Sequence, residues 1–156
     1  MAASLPSGTK RTILCQKAKD MLQEIPRTQA APNSPHITAE EAAAMARAVM
    51  RLFERWQVSD GEAREILGGL ASRTYARWKA GEPGRIDRDL ATRLSLLLGI
   101  HKGLRYLFTD PERGYGWVKK PNLAFDSRTP LAVMAQGDIF SLARVRAYLD
   151  AERSGW

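Results

Sequence analysis

The sequence predicts an all-α protein: a helical bundle containing a helix-turn-helix, followed by a small α-helical C-terminal domain. Three observations lead there. Apolar residues recur at three- and four-residue spacings through most of the chain, Ser, Thr and Asp stand where helices would begin, and no alternating strand pattern of useful length is present. The 156 residues suffice for one domain and a small appendage, with a core that needs no disulfide. The expected partition is an N-terminal helix and Pro-rich linker over 1–36, a helix-turn-helix bundle over 37–108 and a C-terminal domain over 109–156.

The first element is an amphipathic helix over Lys10 to Ile25, with Ile13, Leu14, Met21, Leu22 and Ile25 at helical spacings. Pro26, Pro32 and Pro35 then make the stretch to His36 a linker. "TAEEAAAMARAVMRLFERW" opens with Thr38 and, three residues on, Glu41: a capping box ahead of a long scaffold helix with Met45, Val49, Leu52, Phe53 and Trp56 on one face. Shorter helices follow. "SDGEAREILG" is capped by Ser59 or Asp60 and stopped near Gly68, and "SRTYARWKAG" begins at Ser72 and stops at Gly81. "DRDLATRLSLLLGI" turns Leu90, Leu94, Leu97 and Leu98 inward, and "HKGLRYLF" reads as a further short helix behind it. A half-irregular stretch from Asp110, anchored by Tyr115, Trp117 and Phe125 with Asn122 as a turn or cap residue, leads to two last helices, Thr129 to Gln136 and Asp138 to Glu152.

The chain carries 24 Lys+Arg against 17 Asp+Glu, a net charge of +7, and the excess is uneven. Ser59 to Leu70 is acidic (Asp60, Glu62, Glu65 against Arg64), whereas Ala71 to Arg93 is basic. Two short helices joined by "GGLA" and differing in charge sign have the form of a helix-turn-helix. In the second helix Tyr75 and Trp78 should pack inward, leaving Arg73 and Arg77 on the opposite face and Lys79 near its end. Arg85 and Arg88, at the next helix start, could reach flanking phosphates. These five residues are the expected DNA contacts.

Other functions are poorly supported. The longest apolar run, "LSLLLGI", is far short of the ~20 residues that cross a bilayer, and the lone Cys15 suits a reducing compartment, so a cytoplasmic location is expected. Two separated histidines, His36 and His101, form no metal site or dyad; His101 reads as a helix cap or a satisfied surface residue. No phosphate loop or nucleophile elbow is present in the sequence, so no cofactor and no enzymatic activity are expected.

The order Trp117, Pro121-Asn122, Phe125, Pro130-Leu131, Gly137, Val145, Tyr148-Leu149, following "LGGLASRTYARWKAG", resembles the Xre/MbcA/ParS antitoxin family, and within it the ParS branch most. In that family an Xre-like helix-turn-helix precedes a toxin-binding domain, and the resemblance covers roughly Ala44 to Trp156. The sequence departs from the family pattern after Phe125, where a glycine-containing turn is common and Asp126-Ser127 stands instead. The resemblance implies an antitoxin that pairs with a RES-domain toxin, an enzyme that degrades NAD or transfers its ADP-ribose. Such an antitoxin covers or fills the toxin's cleft, and the complex binds its own operator DNA, here expected as a homodimer within a hetero-oligomeric assembly. The rival reading is a stand-alone helix-turn-helix repressor.

The last helix suits that role. Leu142, Val145 and Leu149 form one inward stripe; Arg146, Asp150 and Arg153 lie on another flank, with Tyr148 between. A plug for a cleft that binds phosphates and adenine needs anionic and flat groups, which Asp150, Glu152 and the Trp156 ring supply. Tyr148 to Trp156 are therefore the expected toxin-facing segment, with Arg146 and Arg153 pairing at its edge. Trp156 follows a helix-releasing glycine, and either its own domain or a partner can receive it.

Overall fold

The structure, a computed structural model, describes residues 37–155. The expected helix over Lys10 to Ile25, its linker with His36, Cys15 and the terminal Trp156 lie outside the described residues. From Ile37 onward the chain is one compact unit. No helix among the described residues is long and apolar enough to cross a membrane.

Local capping sets most of the helix starts. In α1, Ala39–Trp56, Thr38 Oγ1 accepts from the Glu41 amide at 3.2 Å while the Glu41 carboxylate accepts from the Thr38 amide at 2.8 Å, satisfying two orphan donors reciprocally. α2, Asp60–Ile66, repeats the device with Ser59 and Glu62. Gly68 and Gly69 follow at φ +87° and +78°, a left-handed pair that turns the chain into α3, Ser72–Lys79. The N-cap of α3 is Ala71, which has no side chain able to accept a hydrogen bond.

The two expected pieces around "LSLLLGIHKGLRYLF" are one unbroken helix, α4, Arg88–Leu107, capped by Asp87. The expected break between Ile100 and His101 is absent, and the glycines on either side of it serve a tertiary contact instead. Gly99 and Gly103 face the last helix at close range: a Cβ on Gly99 would overlap Arg146 Nη1 and stand 2.6 Å from its Cζ, and one on Gly103 would lie 3.1 Å from Leu149 Cβ. Helix propensity is sacrificed at two positions so that two helices can approach.

A helix that the sequence does not advertise, α5, Pro111–Trp117, is capped by Asp110. Gly114 and Gly116 mask it in the sequence, yet the helix forms with Gly114 buried near Phe108 and Leu104. A 3-10 turn, Leu123–Phe125, leads to the short α6, Pro130–Met134, and to α7, Ile139–Ser154. α6 ends before the expected Gln136, and α7 runs two residues past Glu152 to a left-handed Gly155. α4 is the axis of the unit: α1 and α5 pack on it, and α7 lies along it. One apolar core, with Trp56, Trp78, Phe53 and Phe125 fully buried, is shared by residues on both sides of the 108/109 boundary.

One charged side chain sits deep in that core. Arg93 on α4 is 8% exposed. It donates from Nε to Asp89 at 2.8 Å and from Nη1 to the carbonyls of Ile66 (3.3 Å) and Gly137 (2.7 Å). A single guanidinium thus joins the end of α2 to the turn before α7.

Candidate functional site

The first surface is the helix-turn-helix. Tyr75 and Trp78 are buried, 4% and 2% exposed, which fixes the roll of α3 and leaves Arg73 and Arg77 in solvent as the periodicity predicts. Arg77 lies over the loop after α3: a Cβ on Gly84 would come within 3.1 Å of its Nη2. That places the Arg77 guanidinium beside the segment carrying the exposed Arg85 and Arg88. Lys79 differs from the others, because its Nζ bridges to Asp60 at 3.1 Å and ties α3 to α2. Both partners are largely exposed, so the pair is worth at most about 1 kcal/mol and yields readily to a phosphate. Arg64, the only base in the acidic helix, donates to the Leu70 carbonyl at 2.7 Å and holds the turn itself. Arg73, Arg77, Arg85 and Arg88 therefore form the free cationic surface, with Lys79 a conditional member.

The second surface is α7 with the 3-10 turn. Leu142, Val145 and Leu149 are fully buried, as the inward stripe requires. Of the six singled-out residues, the five that are described do not form one group. Arg146 salt-bridges Asp150 at 2.7 Å and presses on Gly99, so its guanidinium mainly serves the α4–α7 contact. Arg153 lies over the Tyr106 ring at 5.5 Å, with Lys102 near the same ring. Tyr148 is turned toward the irregular segment, where it stacks on Trp117 (5.9 Å between centroids, 10° between planes) and meets Phe125 edge-on at 5.2 Å. Glu152 is exposed. Tyr148 is thus a structural member of an aromatic trio.

The departure from the family pattern now has a geometry. Asp126 and Ser127 both take left-handed φ, +56° and +61°, in the turn closed by the Asn122–Arg128 bridge, with Asn122 capping through the Ala124 amide at 2.9 Å. Asp126 is held there by Arg128 and Arg144, at 3.5 and 3.6 Å, whereas Ser127 is exposed. Ser127→Gly should therefore raise stability by about 0.5–1 kcal/mol, read from urea unfolding. A decrease would mean that the turn is not strained at that residue.

Two residues that the sequence does not single out are prominent in the structure. Leu123 is 89% exposed and Phe140 80% exposed. They flank Arg144: Phe140 lies one helical turn before it on α7, and Leu123 adjoins Ala124, whose carbonyl accepts from Arg144 at 2.8 Å. The available signal was Phe140's place on the side of α7 opposite the inward stripe, where an apolar residue has no core to enter. Among the described residues no group of His, Cys, Asp and Glu could hold a metal. His101 is within α4 rather than at a cap, stacked on Tyr115 at 5.9 Å, with a buried Nδ1 that has no hydrogen-bond partner.

Comparisons with known proteins match two successive stretches of the chain. Residues 35–99 match the antitoxin Xre-like helix-turn-helix domain, and residues 103–155 match the antitoxin Xre/MbcA/ParS C-terminal toxin-binding domain. The uncharacterized protein y4oB of Sinorhizobium fredii (strain NBRC 101917 / NGR234) is 37% identical over 123 residues, spanning 79% of this chain and 95% of the relative.

Proposed function

The chain belongs to the antitoxins that join an Xre-like helix-turn-helix domain to an Xre/MbcA/ParS C-terminal toxin-binding domain, and on that premise we propose that it neutralises a RES-domain, NAD-using toxin. It does so by laying α7 and the 3-10 turn against the toxin, with the C-terminal segment Glu152, Arg153 and Trp156 reaching the NAD cleft. The observation that carries this reading is the exposure of Leu123 and Phe140 on the toxin-binding half. Large apolar side chains in water are the usual material of interface anchors. Phe140 and Arg153 are 13 positions apart on α7, about 20 Å along the helix axis and on different sides of it, so a toxin that meets both wraps round the C-terminal end of the helix.

The test is neutralisation of the cognate toxin. Phe140→Asp should weaken toxin binding at least tenfold, about 1.4 kcal/mol, with the fold intact because the side chain packs on little of its own protein. A variant that binds as tightly as the parent overturns the placement of the toxin on this face.

Operator binding is the second part of the proposal, and the exposure of Arg73, Arg77, Arg85 and Arg88 supports it. Two copies would present two recognition helices to a two-fold operator. Replacing Arg73 and Arg77 with Gln should reduce the log-log salt slope of DNA binding by about 1.8 per copy, or about 3.6 for the two-copy complex, at roughly 0.9 for each phosphate that is no longer neutralised. An unchanged slope removes α3 from the DNA interface. Full-strength operator repression by this chain in cells that lack the toxin gene, with no toxin bound on addition, would favour a stand-alone repressor instead.

A further inference from the structure

A third feature lies outside both surfaces. Between α1 and α4 is a concave groove of about 240 Å³, lined by Ala48, Arg51, Leu52, Arg55, Leu98 and His101. Its floor is apolar, and the short Ala48 side chain leaves the volume open. Its rim is cationic. Arg51 and Arg55 are one helical turn apart and exposed, and among the described residues no carboxylate comes within ion-pair distance of either. Arg55 makes one long hydrogen bond, 3.4 Å to the Tyr115 hydroxyl. Arg93, Arg128, Arg144 and Arg146 show the contrast, since each of those is tied to a carboxylate of its own fold.

The far wall is His101, whose ring stacks on Tyr115 and whose buried Nδ1 lacks a partner. Burial first, then the charges of Arg105 and Arg55, hold its imidazole below the usual histidine pKa. The groove therefore gathers positive charge that nothing in the described chain neutralises.

We propose that this groove is a binding site for a small phosphate ester, its phosphate held between the Arg51 and Arg55 guanidinium groups and its organic part resting against Leu98 and the His101 edge. Two planar forks on adjacent turns match the oxygens of a phosphate better than a lone carboxylate. A concave pocket of this size admits a sugar phosphate, whereas duplex DNA presents its phosphates on a convex rod. The site stands apart from toxin neutralisation and operator binding and does not depend on either.

Calorimetric titration of the full-length chain with ribose 5-phosphate tests it, with the imidazole signals of His101 followed by NMR. Saturable binding with Kd below about 1 mM and a shift of the His101 signals is the expected result. Arg51→Gln with Arg55→Gln should weaken it at least tenfold, and so should Ala48→Met, which fills the groove without changing charge; Arg73→Gln should not. Unsaturable binding, or equal affinity in the groove variants, overturns the site. If ribose 5-phosphate fails to saturate while the double Arg variant lowers the DNA salt slope by about 0.9 or more per copy, the groove holds a DNA phosphate and the small-ester assignment is wrong.

Discussion

Phe125→Ala should remove about 3–5 kcal/mol of folding free energy, the range for deleting a fully buried phenyl ring that its surroundings cannot replace. Phe125 is 1% exposed and stands where three elements meet: the 3-10 turn, α5 through Trp117 at 6.4 Å, and α7 through Tyr148 at 5.2 Å. The Arg144 guanidinium covers its ring at 5.4 Å. No neighbouring backbone can collapse into the vacancy without dragging the left-handed pair Asp126-Ser127 out of its turn. The urea midpoint should drop accordingly, because the 3-10 turn that carries Leu123 loses its anchor on α5 and α7. A loss below about 1 kcal/mol would mean that the turn is held by its hydrogen bonds and that the aromatic trio is incidental.

Arg93→Met should cost about 2–4 kcal/mol. The methionine can refill most of the space but supplies no donors, so the Ile66 carbonyl is left buried and the Gly137 carbonyl partly so, each deprived of its side-chain partner. Asp89 suffers less, since its side chain is 61% exposed and water replaces the missing guanidinium. Arg93→Lys should recover little, because one ammonium cannot reach three acceptors with the geometry of a planar fork. Thermal and urea unfolding both read this, and a variant within about 0.5 kcal/mol of the parent would show that the two carbonyls find other partners.

Much of the fold was legible because it is locally encoded. Thr38 with Glu41, Ser59 with Glu62, and the left-handed glycines after α2 each declare a helix end within four residues of sequence. Tyr75 and Trp78 likewise determine which face of α3 is free. What stayed hidden depends on distant neighbours. The glycine at 99 has no local explanation until Arg146, 47 positions later, is found lying against it. Gly114 and Gly116 argue against α5, which forms nonetheless with the first of them buried near Phe108 and Leu104.

The candidate surfaces were legible in unequal measure. Arg73, Arg77, Arg85 and Arg88 were readable from charge and period alone. On α7 the period identified the inward stripe correctly but said nothing about which outward groups are already engaged. Tyr148 is spent on Trp117 and Arg146 on Asp150, while Phe140, opposite the inward stripe, is left with almost nothing.

The continuity of α4 has a consequence for gene control. This 20-residue rod, about 30 Å long, starts beside Arg85 and Arg88 and carries α7 on its later turns, with no hinge between them. On the proposed placement of toxin and operator, a protein seated on α7 would stand at a set height and bearing from the DNA, as a tool does in a jig, and the spacing of operator half-sites would become a gauge of the cargo.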